Sequence, residues 1–166
     1  PDDYLRKCSI EFDWSKFNPD DDLCFVGVDL SAVSDLTAVS YLIFHDDRMY
    51  LYVDYYLPHE ALETKADKDM YRDWAARRLI HITPGNVTDY DYITQDIIRH
   101  NKDVTIVKIG YDKWNATQWA IDCTNLGMPL EEYPQTLGNF NRPTREMERL
   151  ILSSQILIDN NDITRF

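Results

Sequence analysis

Two aspartates in this sequence stand at the ends of apolar runs: Asp29 closes LCFVGVD and Asp112 closes VTIVKIGYD. Runs of that kind read as buried strands, and ligands of open α/β sheets gather at the carboxyl ends of central strands. Two carboxylates converging there repel one another unless a divalent cation lies between them. Mg²⁺ suits such a pair, because it takes hard oxygen ligands and is held by one or two carboxylates together with water and a substrate phosphate. The chemistry implied is phosphoryl transfer. Asp35, six positions after Asp29, is a third acid with two readings: a supporting residue near the metals, or a loop carboxylate that orders a turn. For Asp29 and Asp112 the plainer alternative is that each caps a turn.

Little else in the sequence carries nucleophilic or nucleotide-binding chemistry. His45, His59, His81 and His100 have no HxxxH spacing, and no GxSxG elbow is present. The glycines never form GxG and there is no GxxxxGK[ST] loop, which excludes dinucleotide and Walker-type ATP sites of the usual kind. Asp46, Asp47, Asp54, Asp89 and Asp91 read as solvated or capping. Basic residues cluster locally: Lys65/Lys68, Arg72/Arg77/Arg78, Lys113, and Arg142/Arg145/Arg149 beside Phe140. A phosphate backbone could follow Lys113, Arg142 and Arg145, although charged helix faces are commonly just solvated. With 29 acidic against 17 basic residues and a formal net charge of −12, broad polyanion binding is disfavoured. Any nucleic-acid site must be a local patch.

The elements that must position the two aspartates follow from periodicity. LCFVGVDL, TAVSYLIF and MYLYVDYYL, the last two separated by the turn-like HDDR, predict a three-stranded antiparallel meander. MYRDWAARRLI and TPGNVTDYDYITQDIIRH predict two helices. VTIVKIGYD is the next strand, followed by a helix in WNATQWAIDCTNLG capped by Asn115 and stopped by Gly127. PLEEYPQ reads as a short strand, RPTREMERLILSSQ as a helix starting near Thr144, and ILID as a final strand. Strands reached through helical crossovers are parallel, so the fold class is α/β with a mixed sheet. Residues 1–22 have no sustained period and end in NPDDD, which reads as a linker or lead-in; order is expected from Leu23. The 166 residues suit one domain. No window approaches a membrane span and the N-terminus is unlike a signal peptide, so a soluble cytoplasmic protein is expected. Cys8, Cys24 and Cys123 make no CxxC pair; Cys24 reads as a small hydrophobe inside a strand.

Four segments in order, VGVDLSAVSDLTAVSYLIF, TPGNVTDYDYI, GYDKWNA and RPTREMERLILSSQILI, resemble the nuclease domain of bacteriophage terminase large subunits, from about Val26 to the end. The resemblance implies a ribonuclease-H-like fold and a divalent-metal-dependent endonuclease that cuts concatemeric double-stranded viral DNA during genome packaging. It further implies two Mg²⁺ or Mn²⁺ ions, one serving the attacking water and one the leaving 3′-oxygen. Asp29 matches the family's first-strand aspartate, Asp112 the fourth-strand one, and Asp35 an additional acid in DLSxxxDxxA. The family's third essential acid lies on a later helix, past a further strand, so residues 23–166 are expected to be a nuclease domain cut before that helix. An ATPase domain is expected before residue 1. Implied partners are the small terminase subunit, the portal protein and the ATPase domain of the same full-length chain, in the host cytoplasm. Two other readings stay open: a ribonuclease-H-like module that docks without cutting, and a fragment of an actin-like kinase, which would need a DxG-type phosphate loop that the sequence lacks.

Overall fold

The computed structural model describes residues 2–31, 33 and 35–165. In chain order the elements are α1 (Asp2–Cys8), β1 (Ser9–Ile10), a 3₁₀ turn (Trp14–Lys16), β2 (Leu23–Asp29), β3 (Thr37–His45), β4 (Arg48–Pro58), α2 (Ala61–Thr64), α3 (Lys68–Ala76), β5 (His81–Thr83), α4 (Tyr90–His100), β6 (Thr105–Tyr111), α5 (Thr117–Asn125), β7 (Leu130–Glu132), α6 (Leu137–Leu152), β8 (Ile156–Asp159) and α7 (Asp162–Arg165). The expected meander forms: β2, β3 and β4 pair antiparallel. Its tight turn places Asp46 and Asp47 at φ 47° and 60°, left-handed values that Asp tolerates better than most residues and that match the twist of a hairpin. The remaining strands join by parallel pairing, giving one mixed sheet in the order β1-β8-β4-β3-β2-β6-β7, with β5 also paired to β4.

Each face of the sheet has its own cover, because successive side chains of a strand point to opposite sides. On the first face Val26, Val28, Val39, Tyr41, Ile43 and Tyr56 pack against α4 and α5 through Ile93, Ile97, Trp119 and Cys123. Ile93, Ile97 and His100 of α4 are buried, a spacing of four and three that forms one helix stripe. Trp119 Nε1 of α5 donates to Thr94 Oγ1 of α4 at 3.0 Å and ties the two helices together. On the second face, α2, α3 and α7 cover Tyr55 and Leu57, while α1 and α6 cover Leu51, Ile156 and Ile158. All three cysteines are buried and unpaired. Burial pushes the Cys24 thiol up to about 12, as expected of a thiol used as an apolar filler.

Three local expectations are corrected. Order does not begin at Leu23: β1 pairs with β8, α1 packs on α6 and β8, and Phe12, Trp14 and Phe17 join the core. A two-residue strand and three irregularly spaced aromatics carry no period, so their order comes from what they pack against. The α5 cap is Ala116, without a side-chain bond, and Asn115 instead adopts a left-handed φ of 61°. Helix α6 starts at Leu137 rather than near Thr144, capped by Thr136 and with Pro143 inside it. A proline cannot donate to the carbonyl four residues back; the hydroxyl of Tyr133 donates to that carbonyl, Asn139 O, at 2.7 Å.

Candidate active site

A one-residue irregularity decides which way Asp112 faces. Parallel pairing of β2 with β6 runs Leu23↔Thr105 and Cys24↔Ile106, then shifts to Phe25↔Lys108 and ends at Val28↔Tyr111. Val107 is the extra residue of a bulge. In unbroken register Tyr111 would lie beside Asp29 and Asp112 would point to the opposite face. With the bulge, Asp112 follows Asp29 in step, on the same side of the sheet, while Ile106 and Ile109 both stay buried.

Asp29 and Asp112 line one open cleft of about 580 Å³ on the second face. Its floor is made by β3, β2 and β6, where Ser40, Gly27 and Gly110 lie in register across the three strands. A Cβ at Gly27 would come within 2.9 Å of Ser40 Oγ, so glycine keeps the floor flat between the carboxylates and the rest of the cleft. Phe140, Pro143 and Met147 of α6 form one wall, with Tyr133 and Gln135 from the segment before it. Asp112 is held from two directions: Trp114 N donates to Oδ1 at 3.1 Å and Gln135 N to Oδ2 at 3.3 Å. Each oxygen keeps a further lone pair for a cation. Asp29 is exposed at the end of β2. Two carboxylate groups open to solvent fit the donor set of a hydrated Mg²⁺ or Mn²⁺. Among the described residues, neither aspartate belongs to a group of three or more His, Cys, Asp or Glu side chains able to share one ion.

The other residues singled out from the sequence lie apart. Asp35 is exposed and ion-paired with Lys65, and it does not line the cleft. Lys113 follows Asp112 but turns to Glu132, 3.7 Å away, with most of its side chain in solvent. Arg142 and Arg145 lie on the outer side of α6 with Asn141, Glu146 and Arg149, and Arg149 is engaged by Glu146. Sequence reasoning missed the supporting roles of Tyr133 and Gln135. One acts through its hydroxyl on a helix carbonyl and the other through its backbone N–H, and neither contact leaves a pattern in residue types.

It also missed a second polar centre. Asp54, 2% exposed, has His81 Nε2 at 2.8 Å from Oδ1 and His100 Nε2 at 3.0 Å from Oδ2. Burial acts to raise its carboxyl, but the hydrogen bonds from His100 and His81 outweigh it and bring it down to about 2. The hydrogen bond to Asp54 raises the His81 imidazole above its ordinary value. Positions 54, 81 and 100 come from three elements, and only tertiary packing brings them together.

The family model for the terminase large subunit endonuclease domain matches residues 10–165. No curated protein matches the chain. Among solved structures, the bacteriophage HK97 large terminase is similar over 95% of this chain and 33% of its own, with TM-score 0.78 and 25% identity. The large terminase nuclease from thermophilic phage G20c, solved with bound magnesium, is similar over 96% of this chain and 74% of its own, with TM-score 0.60 and 11% identity. A second structure of the G20c nuclease is similar over 95% of this chain and 73% of its own, with TM-score 0.59 and 11% identity; these two likenesses are of fold. The chain spans about a third of the length of the HK97 protein.

Proposed function

We propose, from the premise that this chain belongs to the terminase large subunit endonuclease-domain family, that it is a divalent-metal-dependent endodeoxyribonuclease acting at the cleft of Asp29 and Asp112. The observation that carries the reading is their convergence: two carboxylates at the ends of neighbouring parallel strands, turned to one side by the Val107 bulge and lining one open cleft. The ribonuclease-H-like mixed sheet expected from the sequence is the fold found.

Asp29 and Asp112 are the residues that would hold Mg²⁺ or Mn²⁺, as two ions. Such ions, when bound, stabilise charge developing on the phosphate and make water acidic enough to attack it. The chain's own part is to place them. Trp114 N–H and Gln135 N–H fix the Asp112 carboxylate, and Gly27 and Gly110 leave the floor bare for a sugar-phosphate strand. Lys113, one residue beyond Asp112, is suited to meet a phosphate beside the cut, and Arg142 and Arg145 to follow the duplex along α6. Asp35 takes a supporting role only after exchanging its partner Lys65. Hydrolysis leaves 5′-phosphate and 3′-hydroxyl ends. The substrate is double-stranded concatemeric viral DNA, cut during genome packaging in the host cytoplasm. The partners are an ATPase domain of the same full-length chain, the small terminase subunit and the portal protein.

The second reading is a module that docks in the packaging motor without cutting. It is favoured by the net charge of −12 and by the two-carboxylate donor set. A plasmid-nicking assay in Mg²⁺ and Mn²⁺ separates them. Nicking that is abolished by a chelator and reduced on the order of 100-fold or more in Asp29→Asn and Asp112→Asn, with folded variants, supports the nuclease. Undiminished cutting by Asp29→Asn overturns the assignment, and DNA binding without metal-dependent nicking favours the docking module.

A further inference from the structure

The Asp54 centre lies on the opposite side of the sheet from the cleft. Asp29 pairs with Ala38, whereas Asp54 pairs with the next residue, Val39, so alternation sends the two carboxylates to different faces. Asp54 sits on β4 between the part of that strand paired with β8, ending at Leu51, and the part paired with β5, starting at Tyr56. Beside it, β5 contributes His81 and α4 contributes Asp96. The Asp54 carboxylate, the His81 imidazole and the Asp96 carboxylate each offer one ligand atom, and these atoms lie within 4.8 Å of one another.

We propose that Asp54, His81 and Asp96 form a second metal site, selective for a divalent transition ion of the zinc type, that clamps β4, β5 and α4 together. Ligands to a tetrahedral zinc at 2.0–2.2 Å stand about 3.4 Å apart; Asp54 Oδ1 and His81 Nε2, now 2.8 Å apart, open by about half an ångström, and the Asp96 ligand atom starts within 4.8 Å of both. One imidazole nitrogen with two carboxylate oxygens suits Zn²⁺ or Mn²⁺ and not Mg²⁺, which takes oxygen alone. Three protein ligands leave a fourth position for water.

The surroundings hold the ligands in place. His100 Nε2 occupies Asp54 Oδ2 and leaves Oδ1 toward His81. His100 itself is stacked on Trp14, with ring centroids 3.9 Å apart. The Tyr56 hydroxyl donates to Asp96 Oδ2 at 2.7 Å and Arg99 to Oδ1 at 2.9 Å, which fixes that carboxylate while each oxygen retains a lone pair. Counting Asp54, Asp96 and the Arg99 guanidinium leaves one net negative charge to meet the ion, with Asp159 adding to the negative field around Asp54. The His81 side chain is 44% exposed while Asp54 is closed off, so the ion enters past the imidazole. On binding, the ion replaces the proton shared by His81 and Asp54, as is general for histidine ligands.

The test uses Co²⁺ as a spectroscopic probe and Zn²⁺ in thermal melts of the whole chain, each titrated against wild type, Asp29→Asn, Asp112→Asn, His81→Ala and Asp96→Asn. Melting in EDTA first establishes which variants fold, and if His81→Ala does not, Asp96→Asn alone decides. The expected result is a saturable visible Co²⁺ band and a Zn²⁺-dependent rise in melting temperature in wild type and both cleft variants. Mg²⁺ gives no visible band and no rise in melting temperature in the cleft variants, which lack its own proposed ligands, and both signals weaken at least tenfold in His81→Ala and Asp96→Asn. A band that survives in those two variants, or that disappears with Asp29→Asn, places the ion in the cleft and overturns the proposal. So does the absence of any saturable signal at millimolar metal, which leaves the cluster a hydrogen-bonded network.

Discussion

Asp112 and Asp29 carry the same charge in different settings, and the difference predicts different costs. Both oxygens of Asp112 accept backbone N–H groups, whereas Asp29 is exposed with its carboxylate directed into the cleft. Asn at 112 must turn its NH₂ toward one of those two donors and lose that bond. Asp112→Asn is therefore expected to lower stability by about 1 kcal/mol, the usual worth of one such bond, while Asp29→Asn leaves it unchanged within a few tenths. Urea denaturation measures both, and equal stabilities would show that the two bonds to Asp112 are energetically empty. The same residues were legible in the sequence because each ends a strand-like run. Tyr133 and Gln135 were not, since what they contribute to the site is a hydroxyl and a main-chain N–H brought near by folding.

At the level of elements, α6 shows how one residue compensates another. Pro143 removes the donor for Asn139 O, and Tyr133 replaces it. Tyr133→Phe is expected to cost about 0.5 kcal/mol at this exposed position. In a Pro143→Ala background, where residue 143 again donates to Asn139 O, the cost should fall to near zero. A double-mutant cycle reads that coupling, and additive effects would mean that the two residues act independently. The edge pair β1 and β8 carries a charge conflict. Burial, then repulsion from Glu11 and Asp54, raises the Asp159 carboxyl above its ordinary value. A carboxyl whose folded value is raised costs nothing below its unfolded value near 3.8. As pH rises through the interval between the two values, the folded state loses stability because ionisation is disfavoured there. Asp159→Asn should thus melt higher than wild type at pH 7 and lose that advantage below pH 4. An advantage that persists at pH 3 would contradict this origin.

Across the whole molecule, a net charge of −12 confines any DNA contact to a few cations. If Lys113, Arg142 and Arg145 are the phosphate contacts, the slope of log K against log salt should be about −3, from roughly −0.9 per contact. Fluorescence anisotropy with a short duplex in Ca²⁺ would measure it, and each single substitution to Ala should make the slope shallower by about 1. A wild-type slope of −6 or steeper would require contacts elsewhere on the chain. No helix among the described residues is long and apolar enough to cross a membrane.

Sequence alone made legible the meander, the later parallel strands β6, β7 and β8, the two strand-end aspartates and the family they resemble, because periods of two and of 3.6 and apolar-to-polar boundaries are local properties of the chain; β5, three residues long, carried no such signal. It misplaced the start of α6, since a proline normally ends a helix and the residue that rescues this one comes from outside the helix. It put the start of order at Leu23, after a linker or lead-in of residues 1–22, since Phe12, Trp14 and Phe17 reveal their packing only when the sheet they cover exists. Tertiary structure alone decided that Asp112 faces Asp29, through the bulge at Val107, because a shift of one residue inverts every later side chain of a strand. It alone gathered Asp54, His81, Asp96 and His100, because contact between residues so far apart in the chain depends on how β4, β5 and α4 are stacked rather than on spacing in the sequence.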